Sequence, residues 1–201
     1  MKALTKNREN ESTTRSIIFR AAAKLFAEKG YNGVSMREIS ERSKVTKPTV
    51  YYYFGNKEGI YKALIREGLD YHKEEMRRIA ALETPVKQKL VELLKRTFYI
   101  SLKHPELTKF VLKLFIPSEN LPFLENYSPE TTMHKKILVD LIQEGIDTGE
   151  FGVSAKPQLA VDVIGGVLTY FILRQLNSSD IILSDALAEE IIELLFKGLN
   201  E

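Results

Sequence analysis

The chain has 201 residues, with 29 Lys and Arg against 27 Asp and Glu, and it has no Cys. That length holds one or two domains around a sizeable core. The lack of Cys excludes disulfides, thiol nucleophiles and Cys-ligated metals, and it suits a cytosolic protein. The charge is uneven: residues 1–60 carry twelve Lys and Arg against six Asp and Glu, and residues 61–201 carry seventeen against twenty-one. A basic front part suits a phosphate-bearing partner. Residues 1–8 hold no apolar signal run, and no segment of about 18 unbroken apolar residues occurs. Neither a leader nor a membrane span is therefore expected, and the expected location is the cytoplasm.

The polar arm before Thr13 carries Lys2, Lys6 and Arg8 and is expected to stay disordered until a phosphate-bearing partner is near, unless it is simply a solvated tail. The first helix is predicted from about Thr14 to Lys29, with Ile17, Ile18, Ala21, Ala22, Leu25 and Phe26 as its buried stripe and Gly30 as its stop. Ser35 followed three residues on by Glu38 is a capping box, so a second helix begins near Met36 with Ile39 inward. It ends near Ser43, because Thr46 is a candidate N-cap for a third helix and Pro48 fits a first helical turn. On a helical wheel Val50 falls beside Tyr53 and Phe54, which should bury with it. Pro48 and Tyr52 point the opposite way, with Thr49 and Tyr51 on the flanks. A short helix offering Thr, Pro and two Tyr beside Lys47 and Arg37 suits a DNA groove: hydroxyls and cations bond phosphates and bases, and rings meet thymine methyls. The pair has the layout of a helix-turn-helix, residues 35–54. Any small helical hairpin with a charged outer face is the plainer reading.

A fourth helix is predicted from Asn56 to about Ala81, with Ile60, Leu64, Ile65 and Leu69 inward. Lys57 and the free N–H groups of its first turn could hold a phosphate. Thr84-Pro85 opens a fifth helix that reaches His104, and Pro105 a sixth, to Phe115. Residues 116–127, with Pro117 and Pro122, read as a loop. Ser128-Pro129 opens a seventh helix to about Thr148, Lys156-Pro157 an eighth to Leu176, and Ser184 caps a ninth to about Gly198. The expected class is all-α, with nine helices. The eighth is apolar nearly all round and should be buried on most sides. Gly165 and Gly166 in its middle suggest that another backbone packs close.

Ala21-Ala22-Ala23-Lys24-Leu25-Phe26-Ala27-Glu28-Lys29-Gly30-Tyr31, then Ser35-Met36-Arg37-Glu38-Ile39, then Thr49-Val50-Tyr51-Tyr52-Tyr53-Phe54-Gly55-Asn56-Lys57-Glu58 strongly resemble the TetR family of bacterial transcriptional regulators. The resemblance covers the first third of the chain. It implies an all-helical homodimer, usually a ligand-released repressor on a palindromic operator. On that basis residues 12–72 are the DNA-binding domain and 73–201 the effector-binding and dimerisation domain. By position it assigns DNA contacts to Met36, Arg37, Thr46, Lys47, Pro48, Thr49, Tyr51, Tyr52 and Lys57. Pro48 departs from the small residue that often stands there in the family.

The eighth and ninth helices alone suit an ordinary intrachain core. With the resemblance they become the expected dimer face, a four-helix bundle using Gly165, Gly166, Tyr170, Ile191 and Leu195. Phe98, Tyr99, Phe110, Leu114, Phe115, Phe123 and Tyr127 are expected to line a pocket for a small, largely apolar effector, against the plainer reading of each as core. Asp140 and Asp162 read as solvated or hydrogen-bonded carboxylates rather than cation ligands. His72, His104 and His134 lack metal-ligand spacing, so no metal or other cofactor is expected. No phosphate loop, nucleophile elbow or HExxH occurs, so no catalytic residues and no enzyme activity are expected. The alternative is a helical protein-interaction module with only sequence-blind DNA affinity.

Overall fold

A computed structural model describes residues 2–115, 128–152 and 156–199, with side chains within 13–113, 135–152 and 156–197. Among the described residues the chain forms nine helices: α1 (Lys2–Lys29), α2 (Met36–Ser43), α3 (Lys47–Phe54), α4 (Lys57–Ala80), α5 (Val86–Lys103), α6 (Pro105–Phe115), α7 (Ser128–Asp147), α8 (Pro157–Leu176) and α9 (Asp185–Leu199). The expected loop over 116–127 lies outside the described residues. The all-α expectation holds.

Contacts divide the chain into two units, residues 1–68 with 106–121, and residues 69–105 with 122–201. The helix α6 thus belongs with the N-terminal unit, although sequence order places it in the C-terminal part.

In the first unit, α1 starts at Lys2 rather than at Thr14, because neither Gly nor Pro interrupts residues 2–29. Gly30 ends it at φ 72°, its N–H bonded to the Phe26 carbonyl at 3.0 Å. The buried stripe is Ile18, Ala22, Ala23, Leu25 and Phe26; Ile17, expected inside, is exposed. These residues pack with Val34, Ile39, Val50, Ile60, Leu64 and Ile65. Phe110 of α6 completes this core, its ring centroid 5.1 Å from that of Tyr61 and 6.4 Å from that of Phe26. Burying one such ring contributes about 2–3 kcal/mol.

The second unit is built on Met76 and Ile79 of α4, Leu90, Leu94 and Phe98 of α5, Leu141 and Ile142 of α7, and Ile164, Ala188 and Ile192 of α8 and α9. Glu150, in the turn after α7, accepts the first N–H groups of α5, from Val86 at 3.0 Å and Lys87 at 3.3 Å. That contact satisfies donors a helix start leaves open. Buried Lys89 is bonded to Glu144 at 2.7 Å.

The helix α8 differs from expectation. Ala160, Val161, Ile164 and Ile172 are buried, while Leu159, Val163, Tyr170 and Leu173 face outward. By length and composition α8 is apolar enough to cross a membrane, at a mean hydropathy of 1.5, although no unbroken run of that length occurs in it. Nothing lies within 4 Å of a Cβ built on Gly165 or Gly166, so the close backbone those glycines suggested is not found among the described residues.

Candidate nucleic-acid interface

The reading head is assembled from local rules. Ser35 begins α2 with a reciprocal cap: its Oγ accepts from the Glu38 N–H at 3.3 Å, and the Glu38 carboxylate accepts from the Ser35 N–H at 2.8 Å. Lys29 of α1 adds a bond to Glu38 at 2.6 Å. Held by Lys29 and by Ser35, the Glu38 carboxyl is lowered to about 2. It is ionised at neutral pH and ties α2 to α1 through Lys29.

The turn out of α2 runs through Lys44 at φ 56°, a left-handed backbone that glycine adopts more cheaply. The Lys44 N–H bonds back to α2, Val45 N–H bonds to the Ser40 carbonyl at 3.2 Å, and Ser40 Oγ donates to the Val45 carbonyl at 2.6 Å. The chain then enters α3 at Thr46, which holds the N-cap position without a side-chain bond to the backbone. Its hydroxyl instead pairs with that of Thr49 at 2.8 Å.

Val50 is fully buried and anchors α3, while Tyr53 and Phe54, expected to bury with it, are half-buried. Lys47, Pro48, Tyr51 and Tyr52 face out, Tyr52 being 76% exposed and Tyr51 48%. At the start of α2, Arg37 is exposed and Met36 half-buried. Eight of the nine expected DNA-contact residues therefore lie on α2, α3 and the turn between them.

The ninth, Lys57, is differently placed. Its ammonium donates to the Tyr31 carbonyl at 3.0 Å and sits 4.3 Å from the Tyr31 ring centroid. It ties the start of α4 to Tyr31, just after α1. The start of α4 is capped by Asn56 Oδ1, which accepts from the Gly59 N–H at 2.7 Å. A Cβ at Gly59 would stand 2.1 Å from the Phe54 carbonyl oxygen, so only glycine lets α4 start this close to α3.

Three head residues outside the expected set hold this arrangement: Tyr31 under Lys57, Gly59 against Phe54, and Arg15, which spans α1, α3 and α4. Each acts through partners distant in sequence or through backbone approach, which composition and spacing do not carry.

The profile of the family described as bacterial regulatory proteins, tetR family, matches residues 18–64, the stretch holding α2, α3, the end of α1 and the start of α4. Over those residues the chain is similar to the TetR family. Its relatives extend that match to nearly the whole chain. It is 26% identical over 183 residues to the fatty acid metabolism regulator protein of Bacillus subtilis, covering 91% of this chain and 94% of that protein. It is 25% identical to the transcriptional repressor KstR2 of Mycolicibacterium smegmatis, over 76% and 73% of the two chains. The crystal structure of the regulator FadR from Bacillus subtilis, in complex with stearoyl-CoA, superposes with a TM-score of 0.76 at 25% identity, covering 91% and 98%. The chain is a DNA-binding transcriptional regulator.

Of the expected effector-pocket residues, Phe98 and Tyr99 belong to the second unit and Phe110 to the first. Phe110 is spent in the core of the reading head, against Tyr61 and Phe26. Phe98 is buried in the second unit, and Tyr99 is half exposed with its hydroxyl bonded to Lys103 at 2.7 Å. Leu114 and Phe115 lie in α6 with side chains outside the described residues, and Phe123 and Tyr127 lie outside them altogether. A cavity of about 260 Å³ is lined instead by Lys156, Leu159, Ala160, Val163, Ile164, Leu194 and Leu195, between α8 and α9.

Of the expected dimer residues, Ile191 is only 6% exposed and is occupied by its own chain. Tyr170 and Gly166 face outward, and Gly165 and Leu195 are partly covered. Leu194, 74% exposed, has the accessibility that Ile191 lacks.

Proposed function

We propose that this regulator is a cytoplasmic homodimeric repressor that a long-chain fatty acyl-CoA releases from a palindromic operator. The observation that carries the DNA part is the outward face of α3, where Lys47, Pro48, Tyr51 and Tyr52 stand on a helix anchored by Val50. Two copies would set these faces in successive major grooves, about 34–36 Å apart. Arg37 and Lys57 would hold phosphates beside them.

The effector class rests on the relatives. The likeness to the Bacillus subtilis fatty acid regulator runs through the C-terminal part, and its structural counterpart holds stearoyl-CoA. The acyl chain would occupy the second unit, with its walls drawn from α5 and α7 near Phe98.

Two features suit transmission to the head. The helix α4 is unbroken from Lys57 to Ala80, and α6 inserts Phe110 beside Tyr61 of α4. A ligand that moves either helix changes the pose of α3, in proportion to its differential affinity for the two poses.

Fluorescence anisotropy on the DNA upstream of the chain's own gene tests the reading. Binding at least a thousandfold tighter than to scrambled DNA, reversed by stearoyl-CoA and not by free CoA, is the expected result. Equal, steeply salt-dependent binding to both fragments would reduce the head to a generic phosphate binder.

A further inference from the structure

The second unit leaves a cationic, aromatic face of α4 and α5 in water. Tyr71 of α4 is 49% exposed and Tyr99 of α5 48%. Arg96 stands by both, its guanidinium carbon 5.9 Å from the Tyr71 ring centroid and 5.3 Å from that of Tyr99. A terminal nitrogen of Arg96 donates to the Tyr71 hydroxyl, and its Nε lies 2.6 Å from the Glu75 carboxylate. One turn beyond Tyr99, Lys103 donates to the Tyr99 hydroxyl at 2.7 Å, with its nitrogen 5.1 Å from the same ring centroid. All five residues belong to the second unit.

The positive charge of this face is only partly offset. Lys87, Lys89 and Lys95 of α5 each pair with a carboxylate, from Glu193, Glu144 and Glu189. Lys103 has a phenol instead, and Arg96 shares Glu75 with Arg78. The excess is felt at Tyr99, whose hydroxyl is held below the usual phenol range by the hydrogen bond and charge of Lys103, with a smaller part from Arg96. Such a face suits an anion that carries a flat ring. A base stacks on an aromatic side chain, a guanidinium forks onto a phosphate, and an ammonium adds a point charge. The nucleotide end of coenzyme A has both parts, an adenine and phosphates. It cannot follow an acyl chain into the interior, because unpaired charge is costly to bury. Phe98 and Tyr99 are neighbours on α5, the first buried and the second outward, so one helix can serve both ends of such a ligand.

Resting on the acyl-CoA reading above, we propose that Arg96, Tyr99 and Lys103 seat the nucleotide end of the effector on the outside of the second unit, adenine against the Tyr99 ring and phosphates on the two cations. Tyr71 and Glu75 are positioning residues, which hold Arg96 for that contact.

The chain has no Trp, so Tyr99→Trp places a single indole at the seat. Its emission is followed while the protein is titrated with stearoyl-CoA, adenosine 3′,5′-bisphosphate, adenosine or inorganic phosphate. The expected result is quenching by the first two, with stearoyl-CoA the tighter by about tenfold or more, and none by adenosine or phosphate at the same concentrations. Calorimetry on Lys103→Gln, a surface change that should leave the Tm alone, should give about tenfold weaker binding of stearoyl-CoA and unchanged binding of stearoyl-pantetheine, which lacks the nucleotide. Stearoyl-CoA that binds with a silent indole, and equally to Lys103→Gln and the wild type, overturns the seat and leaves the effector reading standing. An equal loss for stearoyl-pantetheine also overturns the seat, since Lys103 would then support the site without touching the nucleotide. Quenching by the bisphosphate without binding of stearoyl-CoA overturns the effector reading and, with it, the assignment to coenzyme A. No binding of any of these ligands overturns both.

Discussion

The guanidinium of Arg15 grips the carboxylate of Glu67 with both terminal nitrogens, one bond measuring 3.0 Å, while its carbon lies 5.3 Å from the ring centroid of Phe54. One side chain of α1 therefore ties Phe54, the last residue of α3, to α4 at Glu67. A planar guanidinium suits both tasks, since it forks onto a carboxylate and stacks on a ring. Arg15→Ala should weaken operator binding about tenfold by loosening α3. Because no phosphate contact is lost, the slope of log affinity against log salt should stay unchanged. A slope reduced by about one would make Arg15 a phosphate ligand. Unchanged affinity with a lower Tm would confine it to stability.

Tyr52 supplies the complementary case. Its side chain is 76% exposed and supports little of the fold. Tyr52→Ala should cost operator binding about 1–3 kcal/mol while moving the Tm by less than a degree or two. Titration of the same DNA with both proteins, beside calorimetric melting, checks it. Equal affinity would remove Tyr52 from the reading surface.

These two residues mark where the sequence is legible. The head could be read because its signals are local: Ser35 and Glu38 stand three apart, Pro48 opens α3, and Gly30 closes α1. Arg15 and Glu67 are fifty-two residues apart, and neither has a neighbour that suggests the other. Phe110 was illegible for the same reason, since nothing in α6 announces that its ring completes the core of a unit formed mainly by residues 1–68. The outer face of α8 failed differently. Its composition says that the helix must be covered, but composition does not say by which molecule.

Lys44 tests the turn. A lysine at φ 56° carries a left-handed penalty that glycine avoids, partly offset by the greater freedom of an unfolded glycine. Lys44→Gly should raise stability by about 0.5 kcal/mol in urea unfolding. A loss would mean that the lysine side chain holds the turn through contacts of its own.

The pH dependence of the head follows from Glu38. Its carboxyl is lowered from 4.5 to about 2 by Lys29 and Ser35, so the folded state prefers the ionised form. The stabilisation is fully present above the ordinary carboxyl range, and it fades as pH falls from about 4.5 through about 2. The difference in stability between the wild type and Glu38→Gln should be constant from pH 8 to 5 and shrink below that. A difference that does not change down to pH 2 would show that the glutamine keeps the cap and that the Lys29 charge pair contributes nothing.

Phe110 carries the last prediction. It is 1% exposed, with Tyr61 and Phe26 against it, so truncation leaves a cavity in the head and not in the second unit. Phe110→Ala should cost about 3–5 kcal/mol where the site cannot collapse. Its local signature distinguishes it from general damage. Amide exchange should speed up around Phe26 and Tyr61, while the amides of α5 and α9 keep their protection. If protection falls equally in α5 and α9, the two parts unfold as one cooperative body, and α6 cannot act as a separate handle on the head. If it falls only in the head, α6 is the route by which a ligand that displaces it would loosen the pose of α3.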